Sequence, residues 1–427
     1  MLREGLRVRP DSLGPTLIEA VRRSARSVGT PFWLYEAEPM RERIRQLQAF
    51  DCIRFAQKAN SNIHVLRVLR ALKVVVDAVS LGEIERALRA GFRPGTEAHE
   101  VVFTADVIDE ATLARVVELG IPVNCGSPDM LAQLGEVAQG HPVWLRINPG
   151  FGHGHNRKTN TGGPLSKHGI WHDGLEQALG LVNVHGLSLV GLHMHIGSGV
   201  DYTHLHRVCA SMLNAVRQLN RPIHAISAGG GLSVPYRSGE PEVDIEQYYA
   251  AWNETRLEVE RIVGNKVRLE IEPGRYLTGN AGVLVAQVRA VKKVGENHFV
   301  LLDAGFSELA RPVLYGSHHD ICFLTPAGAT VVGAACPIAV AGPLCEAGDV
   351  FTQQDGGFVT FRELPLPRVG DFAVVRDAGA YGATMSSNYN SRPLVPELML
   401  DDGRLTVIRR RQSIEQLMDL EVQGDPF

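Results

Sequence analysis

Ile53-Arg54-Phe55-Ala56-Gln57-Lys58-Ala59-Asn60 is a short apolar strand that ends on a lysine. The same texture returns along the chain. Phe32-Trp33-Leu34-Tyr35, Val74-Val75-Val76-Asp77-Ala78, Val101-Val102-Phe103, Pro122-Val123-Asn124 and Val143-Trp144-Leu145-Arg146-Ile147 are apolar runs of strand length. Leu189 to His195, Ile223 to Ser227 and Val267 to Glu272 continue the series. Amphipathic stretches separate them, such as Leu81 to Ala90, closed by Gly91. Strands alternating with helices imply a parallel sheet. About eight such units predict an α/β fold with a closed (β/α)8 TIM-like barrel. Its expected span is residues 31–282, with polar residues gathered at the strand ends.

After Gly282 the texture changes. Val283-Leu284-Val285-Ala286-Gln287-Val288 and Phe299-Val300-Leu301-Leu302 are separated by Gly and Pro turns, and helical periodicity nearly vanishes until Ser413 to Leu420. Residues 283–427, with residues 1–30 packed on them, are expected to form an all-β domain. Two domains also suit a chain of 427 residues, which is too long for one ordinary core. A net charge of -4 offers no basic surface for nucleic acid. Six scattered cysteines without a CxxC pair fit a reducing compartment. No signal-like start and no bilayer-length apolar run is read, so the expected location is the cytoplasm, away from membranes.

Several strand ends carry chemistry. Lys58, if buried at its strand end, would be a nucleophile toward a carbonyl and a candidate Schiff-base residue. With its head in water it would be an ordinary surface cation. Ser227-Ala228-Gly229-Gly230-Gly231-Leu232 follows a strand, and three glycines can turn consecutive backbone N–H groups on a phosphate or simply make a flexible turn. Glu270-Ile271-Glu272-Pro273-Gly274-Arg275 puts a carboxylate at a strand mouth. Glu272 there could hold a heterocyclic nitrogen protonated, or form a local ion pair with Arg275.

His193-Met194-His195 sets two histidines on one face of a strand, the pattern of metal-dependent barrel hydrolases. Phe151-Gly152-His153-Gly154-His155 adds histidine but no clear third ligand, so a ring-stacking histidine is favoured and no metal is expected. Gly342-Pro343-Leu344-Cys345-Glu346-Ala347-Gly348-Asp349 offers a proton donor and an anion for a substrate amine; a buried structural cysteine is the alternative. Arg311-Pro312-Val313-Leu314-Tyr315 supplies an arginine and a phenol suited to a carboxylate, and Tyr381 lies in a glycine-flanked turn.

These motifs together resemble the diaminopimelate decarboxylase family, of the fold type III pyridoxal-phosphate group that also holds alanine racemase and eukaryotic ornithine decarboxylase. The resemblance runs from Pro31 to Leu420. It is carried by Phe55-Ala56-Gln57-Lys58-Ala59, Val79-Ser80-Leu81-Gly82-Glu83, His195-Ile196-Gly197-Ser198, Gly229-Gly230-Gly231, Glu272-Pro273-Gly274-Arg275, Cys345 to Asp349 and Gly379-Ala380-Tyr381-Gly382 with Met385 to Asn390. The family often has serine where this chain has Ala347, which puts one hydroxyl contact in doubt.

The resemblance implies pyridoxal 5'-phosphate bound through Lys58. His195 would stack on the ring and Glu272 would pair with its nitrogen. Ser198, Gly229, Gly230, Gly231, Gly274, Arg275 and Tyr381 would hold the phosphate. Asp77, Glu83 and Arg146 would position Lys58 and the ring. Arg275, Arg311, Tyr315, Glu346 and Tyr381 would bind substrate, and Cys345 would donate a proton. It further implies meso-diaminopimelate as substrate and a homodimer whose sites take Cys345 and Glu346 from the partner. The carboxylate at Glu272 argues for decarboxylation, because alanine racemase carries an arginine there. Three alternatives remain: action on a smaller diamino acid, a barrel hydrolase using His193 and His195, and a non-catalytic binding protein.

Overall fold

The computed structural model describes residues 13–95, 99–154, 157–199, 201–237, 239–421 and 424. The chain divides into two compact units. The first comprises Arg41–Val234 and Glu242–Leu277. The second comprises the described residues up to Met40, together with Pro235–Pro241 and the described chain from Thr278 on.

Eight parallel strands build the first unit: β1 Cys52–Ala56, β2 Val75–Ala78, β3 Val101–Ala105, β4 Val123–Cys125, β5 Pro142–Asn148, β6 Ser188–His193, β7 Ala225–Ser227 and β8 Arg268–Ile271. Each pairs with the next, and β8 pairs back onto β1, so the sheet closes into the expected barrel. Every residue of β5 is buried, as both faces of a parallel barrel strand are covered. The register sets Arg146 opposite His193, His193 opposite Ser227, and Ser227 opposite Glu270. Asp77 stands opposite Ala56.

Short polar residues after the strands start the helices. Asn62, Ser80, Asp109, Ser127, Asp201 and Asp244 each accept a backbone N–H of the first turn. Such a cap satisfies a donor that the helix itself cannot, worth about 1 kcal/mol each. The caps fix where each helix leaves the rim, and so fix the loops that carry the chemistry.

The second unit is dominated by one nine-stranded sheet. The long strand Gly282–Val294 lies between Asn297–Leu302 and Phe32–Glu36, and also pairs with Phe372–Val375. Phe32–Glu36 continues in parallel to Glu397–Asp401. Helix Pro15–Val28 covers this sheet with Leu17, Ala20 and Val21, in one cluster with Phe32, Leu34, Val283, Val285, Phe372 and Leu398.

Two details correct the expected boundaries. The expected 31–282 barrel includes Phe32–Glu36, but this strand belongs to the second sheet. Its first four residues are buried, and a short strand covered on both faces reads alike in either setting. Pro235–Pro241 also lies in the second unit, where the Tyr236 hydroxyl accepts from Arg311 at 3.0 Å.

Candidate active site

Lys58 follows β1 on a single helical turn, Gln57–Ala59. The strand-end burial considered for it is not observed: Gln57 and Ala59 are buried, and Lys58 is exposed. The turn explains the difference. A strand would alternate its side chains across two faces, whereas the helical turn buries Gln57 and Ala59 and leaves the lysine accessible, near enough to Asp77, Glu83 and His195 to act on all three. The Ala56 N–H donates to Pro273 O at 3.3 Å, tying this corner to the end of β8.

Glu272, just past β8, is buried and held from two sides. His193 Nε2 lies 2.9 Å from its Oε2, and Ser227 Oγ donates to its Oε1 at 2.7 Å. Burial pushes the Glu272 carboxyl upward, but the His193 and Ser227 contacts, with Arg54, outweigh it and hold the group below the usual range. Asp77, at the level of Ala56, shifts the other way. Burial raises it first and the Glu272 charge adds to that, against the opposing pull of Thr104 and Lys58. One Asp77 oxygen, Oδ1, is buried with no partner among the described residues. Arg146 is buried on β5, where burial lowers its pKa and Asp106, Glu272 and Asp77 counter that. Glu83 is half-buried and its Oε2 accepts the Val79 N–H at 2.9 Å, so it also closes the start of its helix. Burial raises its carboxyl, against that bond and the Lys58 charge.

His195 lies beyond the end of β6, so the two histidines do not share a strand. Burial, then Arg146, Lys58 and His193, hold it well below its ordinary pKa, and the ring is neutral. It borders the glycine run: a Cβ on Gly230 or Gly231 would stand 3.7 Å from its Cε1. The same Cβ atoms would come 2.6 Å from Glu272 O and 2.5 Å from Gly197 O, and one on Gly229 would come 2.5 Å from Met194 O. Only glycine fits there, and Gly229 and Gly231 also carry φ of +62° and +104°. The loop is bound in place by Gly199 N to Gly231 O and Glu272 N to Gly229 O, both 2.8 Å. Ser198 is half-buried in the neighbouring loop. Gly274 precedes the short helix Arg275–Thr278, where Gly274 is buried and Arg275 half-buried.

These features suit pyridoxal phosphate. A glycine cradle that a side chain would fill accommodates a phosphate, an ionised buried carboxylate suits a protonated ring nitrogen, and the bare Asp77 oxygen can accept from a cationic group.

Of the expected substrate residues, Arg275 lies in the first unit, and Arg311, Tyr315, Glu346 and Tyr381 lie in the second. Arg311 is buried and fixed by Tyr236, by His319 Nε2 at 2.9 Å and by Ser317 Oγ at 3.2 Å. Tyr315, on the same short helix, is half-buried. Cys345, Glu346 and Ala347 are exposed, which answers the buried-cysteine alternative. Their loop is pinned through its backbone. Asp349 accepts from Phe306 N and Leu344 N, both at 2.8 Å, and Asn390 Oδ1 accepts from Cys345 N at 2.8 Å. Tyr381 is half-buried with φ of +56°, a strained backbone for a tyrosine.

Sequence reasoning misses two residues. His193 figures there only as half of a metal pair, and Ser227 only as the start of a glycine run; both orient Glu272. The strand register that aligns them is not visible in a linear sequence. Among the described residues the metal-capable group is instead His153, Asp201 and His204, with donor atoms within 4.8 Å of one another. There Asp201 caps its helix, and the two histidine rings stack 4.7 Å apart. His155 lies outside the described residues. No helix among the described residues is long and apolar enough to cross a membrane.

Residues 38–279 match the family model of the pyridoxal-dependent decarboxylases, pyridoxal-binding domain. The chain is 59% identical over 395 residues to the diaminopimelate decarboxylase of Escherichia coli strain K12, covering 92% of this chain and 94% of that protein. It is 58% identical over 415 residues to that of Streptomyces coelicolor, covering 97% and 93%. A crystal structure of diaminopimelate decarboxylase, 57% identical, superposes with a TM-score of 0.93 over 96% of this chain and 98% of its own. A Helicobacter pylori diaminopimelate decarboxylase complexed with L-lysine, 29% identical, gives 0.83 over 93% and 98%.

Proposed function

Because the chain belongs to the pyridoxal-dependent decarboxylase family, we infer that it converts meso-2,6-diaminopimelate to L-lysine and CO2, the last step of lysine biosynthesis. The observation that carries the reading is the buried, ionised Glu272. Loss of a carboxylate as CO2 leaves an electron pair on carbon, and that pair needs a cationic sink. Bound at the glycine cradle, pyridoxal 5'-phosphate supplies that sink.

The protein supplies orientation and proton control. In this proposal the Lys58 amine would hold the cofactor, and its Nζ, when free, could carry a proton. Gly230, Gly231 and Gly274 would turn backbone donors on the phosphate, joined by Ser198, Arg275 and Tyr381, while Gly229, whose N–H goes to Ser227 Oγ, shapes the cradle. Neutral His195 covers one ring face without adding charge. Glu272 keeps a proton on the ring nitrogen. Asp77, Glu83 and Arg146 set the electrostatics around Lys58. Arg275, Arg311, Tyr315 and Tyr381 take the substrate's distal carboxylate, Glu346 takes its distal ammonium, and Cys345 returns a proton to the carbon that lost CO2. The lysine bound by the Helicobacter pylori relative is the expected product here.

A homodimer is part of the proposal, with Cys345 and Glu346 serving the partner's barrel. The exposure of both residues on a pinned loop supports it. Six free cysteines support a reducing, cytoplasmic setting. Borohydride reduction of the holoenzyme followed by peptide mapping tests the core of the reading. The label is expected on Lys58, with turnover of diaminopimelate far above that of lysine or ornithine. A label on Lys73 or Lys167 overturns the site, and equal turnover of ornithine overturns the substrate.

A further inference from the structure

We propose that His193 and Ser227 are positioning residues that keep Glu272 ionised and aimed at the cofactor's ring nitrogen, Ser227 as the middle of a hydrogen-bond chain that starts in the glycine cradle and His193 as a second donor from the other side. The inference rests on the decarboxylase reading above and deepens it.

The direction of the chain follows from which groups can donate. Gly229 N–H can only donate, and it donates to Ser227 Oγ at 3.1 Å. The hydroxyl, thus occupied as an acceptor, commits its own proton to Glu272 Oε1 at 2.7 Å. On the other side an ionised carboxylate can only accept, so the ring proton of His193 sits on Nε2, 2.9 Å from Oε2. Nδ1 of His193 is buried with no partner among the described residues, so the contact to Glu272 is what orients the ring. The three side chains come from adjacent strands in register: His193 opposite Ser227 on β6 and β7, and Ser227 opposite Glu270, two residues before Glu272.

The reason for two donors is desolvation. Burial pushes a carboxyl toward its protonated form unless its donors outweigh it, as Asp77 nearby illustrates, raised despite Thr104. A protonated Glu272 could not hold a proton on a ring nitrogen. Two donors, one on each oxygen, favour the anion and leave the remaining lone pairs for the ring. The chain also links two ends of one ligand. Gly229 opens the expected phosphate cradle but gives its own N–H to Ser227, and Glu272 faces the expected ring nitrogen, so the loop that shapes the cradle also sets the Ser227 proton.

The test uses holoenzyme loaded with cofactor labelled with 15N at the ring nitrogen, whose NMR shift reports protonation directly. Wild type is expected to show a protonated nitrogen. His193→Phe keeps the ring shape without a donor, and Ser227→Ala removes one hydroxyl; both are expected to move the signal toward the unprotonated position. His193→Gln, whose amide can donate from a similar place, is expected to restore it. In parallel, kcat should fall about tenfold to hundredfold with little change in KM, the scale of one charged hydrogen bond. Melting curves and the cofactor-to-protein ratio accompany each variant. Should His193→Phe fail to fold or to hold cofactor, the shift measured in Ser227→Ala decides alone. Variants that bind cofactor stoichiometrically and keep the wild-type shift overturn the inference. An unprotonated nitrogen in wild type would instead overturn the role given to Glu272 and leave the chain with nothing to support.

Discussion

The barrel mouth and the Cys345 loop secure their residues in opposite ways. At the mouth, side chains hold side chains: Glu272 is gripped by His193 and Ser227, and both Asp77 and Arg146 are buried among charges. In the loop, one buried carboxylate holds the backbone, and the side chains face out. Asp349 binds the amides of Phe306 and Leu344, while Cys345 and Glu346 are exposed. The close approach explains two glycines. A Cβ at Gly305 would come 2.6 Å, and one at Gly342 2.2 Å, from the Asp349 carboxylate. The barrel is thus preorganised to set the charge state of a ligand. The loop is preorganised in shape, with its reactive groups presented outward, as suits groups delivered to another subunit.

The sharpest way to break this contrast is to separate the halves. Lys58→Ala and Cys345→Ala are each expected to lose nearly all activity. Mixed and allowed to exchange, they should recover about a quarter of wild-type activity, since random pairing makes half the dimers mixed and each mixed dimer keeps one intact site of two. Absence of recovery, with exchange proven by mass, would mean that each site is completed within one chain.

A smaller effect is expected at Glu272. Glu272→Gln keeps the shape and the Ser227 contact but cannot stay anionic. Decarboxylation should fall by about 10²–10³ while cofactor is still bound, the scale of losing one preorganised electrostatic group. Near-normal turnover would reduce Glu272 to a structural acceptor for His193 and Ser227.

The barrel is legible in the sequence because eight apolar runs of strand length alternate with amphipathic stretches. Phe32–Glu36 is misassigned, because a strand buried on both faces carries no mark of which sheet it joins. Most candidate site residues are visible as departures from pattern: a lysine, a carboxylate or a glycine run at a strand end. The exposure of Lys58 is not legible, since a single helical turn after a strand leaves no periodic trace. His193 and Ser227 escape for a different reason. Their roles depend on the lateral register of β6, β7 and β8, and a linear chain does not display which residues of separate strands stand side by side.

The last expected effect is on stability rather than turnover; it concerns Asp77 and tests whether the barrel mouth is built for a charge it must acquire. Burial, with the Glu272 charge, pushes the Asp77 carboxyl from 3.8 up to about 8 in the folded protein. A carboxyl raised on folding contributes its full stability below the unfolded value and loses it as pH climbs through the folded one. Protein stripped of cofactor should therefore carry a cost at Asp77 that grows between pH 3.8 and about 8 and then levels off. Asp77→Asn removes the ionisation and keeps the shape. Its melting temperature should match wild type near pH 4 and exceed it increasingly toward pH 8.5, by about 2–4 °C for each kcal/mol recovered in a domain of this size. A cationic partner near Oδ1 lowers the same pKa, so the gap should shrink once cofactor is bound. A gap that is absent without cofactor would show that Asp77 is not strained by its burial. One that persists unchanged with cofactor would show that the bound group does not answer the Asp77 charge.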